Sequence, residues 1–186
     1  MKSLFTIFVV LILIVSGCSD GVEDPKPEFI TLQQATLKSE IPASDIFYTE
    51  ELDETAFSLY QSPNGYGVLH FSLKEVGWDY QGSSSFMYST DTDLTPFSFS
   101  QSTWHKGEVL VNTESPYTTI FLGEVRDPEI SKITVEYKNK QRDASSIVNN
   151  ERMYWYLVSE LDDANESVAG VTAYSSDGEL LYQTAK

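Results

Sequence analysis

Short runs of alternating or continuously apolar residues, separated by turn signals, recur along most of this chain and predict a β structure. In Thr55–Gln61, alternation places Phe57 and Leu59 on one face of a strand and the residues between them on the other. Met153–Val158 is apolar throughout, which is typical of a central strand. With 11 Tyr and 10 Phe in the chain, this spacing predicts a mainly β fold, a single antiparallel β-sandwich or open barrel.

Turn signals divide the pattern into hairpins, and one segment is predicted to be helical. Thr31 and Gln34 match a capping box, so we expect one short N-terminal helix over residues 31–39, ended by Pro42. Three hairpins are expected, each around a turn signal: Thr55–Gln61 with Tyr66–Val76 around Asn64-Gly65, Ile133–Tyr137 with Ala144–Val148, and Val168–Tyr174 with Glu179–Thr184. Further strands are expected at Gly77–Gln81, Glu108–Asn112 and Tyr117–Leu122, and Phe86–Tyr88 is a short apolar stretch. A flexible loop is expected at Gly82–Ser85, turns at Thr90–Pro96 and Arg126–Glu129, and a polar loop at Asp162–Ser167.

The first residues have the features of a targeting segment. Lys2 supplies a positive charge, and Leu4–Val15 is apolar apart from Thr6, which is short for a bilayer span but fits a secretory signal. The stretch ends in Val15-Ser16-Gly17-Cys18, an aliphatic residue, two small residues and a cysteine. Residue by residue, this motif resembles the lipobox of bacterial lipoproteins.

The resemblance implies that the Cys18 thiol carries acyl chains such as palmitate and that cleavage falls between Gly17 and Cys18. Cys18 is the only cysteine of the chain, and two or three acyl chains give stable membrane anchoring. The expected organisation is a signal peptide at 1–17, a lipidated tether at 18–28 and a β-rich extracytoplasmic domain at 29–186. The expected location is the extracytoplasmic face of the cell membrane.

Charge limits the partners of the mature chain. Without Lys2 it holds 11 basic and 28 acidic residues, a net charge of −17, which is the reverse of a nucleic-acid-binding surface. Anionic lipid should repel it, so we expect the domain to stand off the bilayer, held by lipid alone. The tether Ser19–Glu28 contains two prolines and spans at most about 30 Å, which keeps the domain close to the membrane.

A second resemblance concerns the folded part. Two stretches carry it: Tyr60–Trp78, with its Ser62–Gly67 turn and Gly77-Trp78, and Gly123–Ile133, with the closing hairpin from Val171. Together they are similar to small uncharacterised secreted and lipid-anchored proteins of Gram-positive bacteria. The similarity covers roughly half of the mature chain. It implies a fold and no activity.

Residue types that bind metals are sparse or scattered. His70 and His105 are far apart, and the chain lacks an HExxH motif and a second cysteine, so neither a metal site nor a cofactor is predicted. We expect His70 to be half-buried in a strand and His105 to lie in a loop. Calcium is an open alternative for three acidic clusters, none of which completes an EF-hand loop: Glu50–Glu54, Asp91–Asp93 and Asp162–Glu166.

No catalytic residue is predicted, because the chain has no GxSxG elbow, no cysteine other than Cys18 and no phosphate-binding glycine loop. With 28 acidic residues, carboxylate pairs arise by chance, which leaves an envelope hydrolase as an alternative. Five aromatic side chains could face a sugar or a protein ligand, although the core is the favoured place for them: Trp78, Tyr80, Trp104, Tyr154 and Tyr156.

These observations favour a non-enzymatic interaction module for an envelope protein, a membrane protein or a glycan. The alternatives are an envelope hydrolase and a carbohydrate-binding module. An exposed apolar patch with an acidic rim would favour a protein partner, a flat exposed aromatic row would favour a glycan, and a cleft with converging carboxylates would favour an enzyme.

Overall fold

A computed structural model describes residues 28–88, 95–106, 117–137, 140–161, 168 and 170–184. These residues form one short α-helix, two 3-10 turns and twelve strands in three antiparallel sheets. The expected class, mainly β with sandwich-type sheets and one short N-terminal helix, is confirmed. Several predicted features lie outside the described residues: the signal peptide, Cys18, the tether up to residue 27, Glu108–Asn112, all of Asp162–Ser167 and most of Thr90–Pro96.

The element bounds follow the chain. Helix α1 spans Leu32–Thr36, and the 3-10 turns span Leu37–Ser39 and Ala43–Asp45. The first six strands are β1 (Ile46–Leu52), β2 (Thr55–Ser62), β3 (Gly65–Lys74), β4 (Gly77–Met87), β5 (Ser100–His105) and β6 (Tyr117–Val125). The others are β7 (Lys132–Tyr137), β8 (Lys140–Asp143), β9 (Ser145–Asn149), β10 (Arg152–Leu161), β11 (Gly170–Tyr174) and β12 (Leu180–Gln183).

Three sheets stack in layers, with the second in the middle. The strand orders are β1-β2-β3-β4 in sheet 1, β5-β6-β10-β9 in sheet 2 and β12-β11-β7-β8 in sheet 3. Phe57 of sheet 1 packs in one core with Ile120 of sheet 2, whereas Phe121 of sheet 2 packs in another core with Val135 of sheet 3. A third core lies between α1 and the outer face of sheet 1, around Ala35. Because both faces of sheet 2 are covered, its central strand β10 is apolar on both faces, as predicted for Met153–Val158.

The capping box predicted at the start of the helix is confirmed. Thr31 Oγ1 accepts a hydrogen bond from the Gln34 backbone N–H at 3.2 Å, and Gln34 Oε1 accepts one from the Thr31 N–H at 2.7 Å. These bonds satisfy two of the amide groups that a helix start leaves unpaired. Ala35 then packs, fully buried, against sheet 1.

The β2–β3 hairpin is confirmed, but its glycine acts differently from the expected Asn-Gly turn. Ser62 pairs with Gly65, so Pro63 and Asn64 are the two central residues of the turn. Gly65 is not among the residues with positive φ. A Cβ on Gly65 would lie 2.0 Å from the Phe86 carbonyl oxygen, so the glycine is needed for the close approach of β4.

The flexible loop predicted at Gly82–Ser85 is wrong, because β4 is one continuous strand. Ser83, Ser84 and Ser85 pair with Leu69, Val68 and Gly67 of β3, beyond a register shift opposite His70 and Phe71. The serines also have side-chain partners. Ser85 Oγ lies 2.6 Å from Tyr60 Oη, and Ser84 Oγ lies 2.6 Å from Ser102 Oγ, so a polar sequence here forms a well-connected strand.

Two further predictions are corrected by the path of the chain between sheets. Ile133–Tyr137 pairs with the exposed strand β8 in sheet 3, whereas β9 pairs with β10 in sheet 2. The chain therefore changes sheets at Ala144, and the expected hairpin with Ala144–Val148 does not form. His105, expected in a loop, is instead the last residue of β5 and pairs with Tyr117 of β6.

Candidate interaction surface

The five aromatic residues considered as a ligand-facing row do not share an exposed face. Trp78 is buried with Tyr80 packed beside it in the core under α1, whereas the other three are buried between sheets 1 and 2: Trp104, Tyr154 and Tyr156. Sheet 1 separates the two groups, because it is covered by the helix on one face and by sheet 2 on the other. The aromatic-row interpretation is therefore corrected, and these rings stabilise the layers.

His70 lies buried between sheets 1 and 2, deeper than the half-buried position expected for it. Its Nε2 lies 3.0 Å from Ser102 Oγ, and its ring stacks on Trp104 with centroids 4.3 Å apart. Burial lowers the pKa of His70 to about 4, so the imidazole is neutral near pH 7. Ser102 is itself only 5% exposed. This Ser–His contact therefore joins two sheets away from the surface.

A buried carboxylate that sequence reasoning missed lies at one end of the sheet 1–sheet 2 interface. Glu124 is 3% exposed; it accepts a hydrogen bond from Arg126 Nε at 3.1 Å and pairs with the Arg152 guanidinium. Arg152 also covers the Tyr88 ring at 4.3 Å. The predicted strand ended at Leu122, two residues before Glu124, so the strand pattern did not point to this group. Removing either arginine would leave the buried Glu124 charge less compensated, which destabilises the fold.

At the opposite end of sheet 1, the N-terminal segment attaches to the β3–β4 turn. The Ile30 N–H donates to the Val76 carbonyl at 2.9 Å, and the Trp78 N–H donates to the Ile30 carbonyl at 2.8 Å. Gly77 has φ +112°, and a Cβ there would lie 2.4 Å from Ile30 N. A glycine at this position therefore lets the N-terminal segment lie directly against β4. The described chain begins at Glu28, two residues before Ile30.

Three large apolar side chains are exposed at this end, and together we call them the tether-end patch: Phe29 (55% exposed), Leu73 (36%) and Val76 (43%). The Leu73 N–H donates to the Glu54 carbonyl at 2.8 Å, which brings the β1–β2 turn beside the patch. Glu54 and Glu75 are both exposed. The patch is therefore apolar with an acidic rim, the arrangement that favours a protein partner.

Beside the patch, a cleft of about 780 Å³ lies where β1 faces β10. It is lined by Tyr156, by acidic residues of β1 and the β1–β2 turn, and by charged residues of other elements: Glu50, Glu51, Asp53, Glu54, Lys106, Arg142 and Asp143. Glu50 Oε2 accepts hydrogen bonds from Tyr48 Oη at 2.9 Å and from Tyr156 Oη at 2.7 Å. Burial is the main cause that raises the pKa of both phenols, so they remain protonated donors.

The acidic run Glu50–Glu54, considered for calcium, is thus divided between a hydrogen-bonded carboxylate and exposed turn residues. Among the described residues, no group of three or more His, Cys, Asp or Glu side chains is arranged to hold a metal ion. The clusters at Asp91–Asp93 and Asp162–Glu166 lie outside the described residues.

No helix in the described part of the chain is both long enough and apolar enough to cross a membrane. No family model, curated protein or solved structure matches this chain.

Proposed function

We propose that this protein is a membrane-anchored extracytoplasmic lipoprotein that acts as a non-enzymatic interaction module for an envelope or membrane-protein partner. The lipobox-like segment Val15–Cys18 supports the anchor. The short tether supports a partner near the bilayer, because a span of about 30 Å limits how far the domain can reach.

The observation that carries the binding role is the tether-end patch with its acidic rim. Exposed apolar side chains are common singly on protein surfaces, but a group with a polar rim is typical of an interaction site. Phe29, Leu73 and Val76 belong to two segments that hydrogen bonds hold together through Ile30 and Trp78. A rigid β framework therefore presents the patch, which limits the entropy lost on binding.

The test is a pull-down from membranes after crosslinking in cells. The tagged protein is expressed with Cys18 intact, and beside it a Cys18→Ala variant and a Leu73→Ser/Val76→Ser variant. Met87→Ser is the matched control, because Met87 is 79% exposed and lies at the far end of β4. We expect one envelope protein to be recovered with the wild type and with Met87→Ser, and to be lost with the other two variants.

Two results would contradict the proposal. Firm membrane association of the wild type without a specific partner would contradict the interaction role, and glycan arrays and hydrolase screens would follow. Loss of membrane association when Cys18 is intact would contradict the anchor itself.

A further inference from the structure

We infer that the tether-end patch faces the bilayer and that its partner is an integral membrane protein, bound through a Lys/Arg-rich extracytoplasmic segment beside a membrane span. This inference rests on the proposed function and adds to it the orientation of the domain and the chemistry of the partner.

The orientation follows from where the N-terminal segment attaches. Ile30 is hydrogen-bonded to Val76 and Trp78, so a tether to Cys18 pulls on the β3–β4 turn. The twelve residues from Cys18 to Ile30 allow at most about 40 Å between the lipid anchor and that turn. Met87 lies at the opposite end of the same strand, ten residues beyond Gly77, which is about 33 Å away. The tether-end patch is therefore the part of sheet 1 held nearest to the membrane.

Two other elements present their ends in the same direction. Leu73 connects to Glu54 through a backbone hydrogen bond, and Ser72 Oγ donates to the His105 carbonyl at 3.3 Å. The β1–β2 turn and the end of β5 therefore adjoin the β3–β4 turn. The cleft lined by Glu50–Thr55 and Lys106 shares Glu54 with the rim of the patch, so the patch and the cleft adjoin at this junction.

The charge of this surface selects the partner's chemistry. It has three basic residues against six acidic ones: Lys74, Lys106 and Arg142, and Glu50, Glu51, Asp53, Glu54, Glu75 and Asp143. Anionic lipid headgroups would be repelled, since opposite charges attract and like charges are penalised at an interface. A protein segment with lysine or arginine beside apolar residues complements both the rim and the patch. The observations thus favour a membrane protein over the lipid surface.

The experiment places a photo-crosslinking benzoylphenylalanine at position 76 of the full-length, lipidated protein in living bacteria. The matched control carries the same residue at position 87, which is more exposed than Val76. Crosslinked peptides are identified by mass spectrometry. We expect position 76 to crosslink to a basic extracytoplasmic segment that flanks a membrane span, and position 87 to give at least tenfold less of that product.

A charge reversal tests the rim separately. Glu54→Lys/Glu75→Lys is compared with Glu179→Lys, because Glu179 is also exposed but lies in the β11–β12 turn of sheet 3. We expect the first variant to lower the crosslinking yield severalfold and Glu179→Lys to leave it unchanged. Raising the salt concentration should lower the wild-type yield, because exposed charge pairs are screened.

Five outcomes would overturn the inference. Crosslinks from position 76 to lipid alone would assign the patch to the bilayer, and crosslinks to a soluble envelope protein would leave the proposed function standing without this partner. Equal yields from positions 76 and 87, or no product from position 76, would show that the domain has no preferred orientation. A protein missing from the membrane fraction would refute the anchor, and with it both proposals.

Discussion

His70 and Glu124 are ionisable side chains that the fold buries in different ways. His70 stacks on Trp104 and contacts Ser102, both polar or aromatic neutral groups. Glu124 is surrounded by the cationic groups of Arg126 and Arg152. The strand pattern placed His70 on a strand but ended the strand before Glu124 at Leu122, and which groups meet either residue across the sheets depends on the packing of layers that are distant in sequence.

The buried histidine should make stability depend on pH. Its pKa is lowered from 6.5 to about 4 by burial, so the unfolded chain binds a proton at a higher pH than the folded chain. The stability is therefore fully present above pH 6.5 and is lost as the pH falls from 6.5 to 4. We expect this loss to be about 3 kcal/mol.

His70→Gln isolates this contribution, because it keeps a hydrogen-bonding side chain and removes the titration. Urea unfolding of the wild type and of His70→Gln between pH 7 and pH 4 measures this contribution. The carboxylates titrate in both proteins, so the difference between the two pH profiles reports His70. Parallel pH profiles of the two proteins would contradict the assignment.

The β9–β10 turn stores backbone strain at one residue. Asn149 pairs with Arg152, so Asn150 and Glu151 are the two central residues, with φ of 47° and 66°. Asn tolerates this left-handed conformation, but Glu does not. Glu151→Gly should therefore raise the free energy of unfolding by about 1 kcal/mol, as measured by urea denaturation.

Glu129→Gly is the control for this change, because Glu129 lies in a turn and is not among the residues with positive φ. It should lower stability by several tenths of a kcal/mol through added freedom of the unfolded chain. The same sign of change in both variants would argue against strain at Glu151.

At the scale of elements, two glycines of β4 share an unusual backbone conformation but differ in their surroundings. Gly77 and Gly82 have φ of +112° and +133°, so alanine is strained at both positions. A Cβ on Gly77 would meet Ile30 backbone atoms within 2.4 Å, whereas a Cβ on Gly82 meets nothing within 4 Å. The comparison therefore separates backbone strain from attachment of the N-terminal segment.

We expect Gly82→Ala to cost about 1 kcal/mol and Gly77→Ala at least about 2 kcal/mol. Gly77→Ala should also speed hydrogen exchange of the Ile30 and Trp78 amides, which bond across this contact. Urea denaturation and amide exchange measure the two effects. If both variants lose the same stability and keep the same exchange rates, the close approach of Ile30 does not contribute.

The whole molecule is a stack in which sheet 2 belongs to two cores. Each of the three cores contains one tryptophan: Trp78 lies under α1, Trp104 between sheets 1 and 2, and Trp155 between sheets 2 and 3. Trp155 also donates from Nε1 to the Ser98 carbonyl at 3.0 Å. These tryptophans are therefore natural reporters for the separate layers.

Because the cores share sheets, we expect them to unfold together. Incorporation of 5-fluorotryptophan should give three ¹⁹F resonances that lose native intensity at the same urea concentration. An earlier midpoint for Trp155 would indicate that sheet 3 unfolds as a separate unit.

Local patterns in the sequence were sufficient for the features that depend on near neighbours. The capping box of Thr31 and Gln34, the alternating faces of β2 and β3 and the apolar strand β10 follow from spacing along the chain, because helix ends and pleated strands impose fixed periods. The lipobox-like segment and the acidic composition likewise lie in the sequence itself, and they carry the proposed location.

Tertiary structure decided everything that depends on which layers meet. Contacts distant in sequence produce the crossing from sheet 3 to sheet 2 at Ala144, the continuous pairing of Ser83–Ser85 and the packing of the aromatic candidates, of which all but Tyr80 are buried. The tether-end patch also emerged only there, because backbone bonds join Ile30, Val76 and Glu54 from three segments. The alternation of apolar and polar residues along one strand indicates which side chains share a face, but only the neighbouring layer determines whether that face is core or surface.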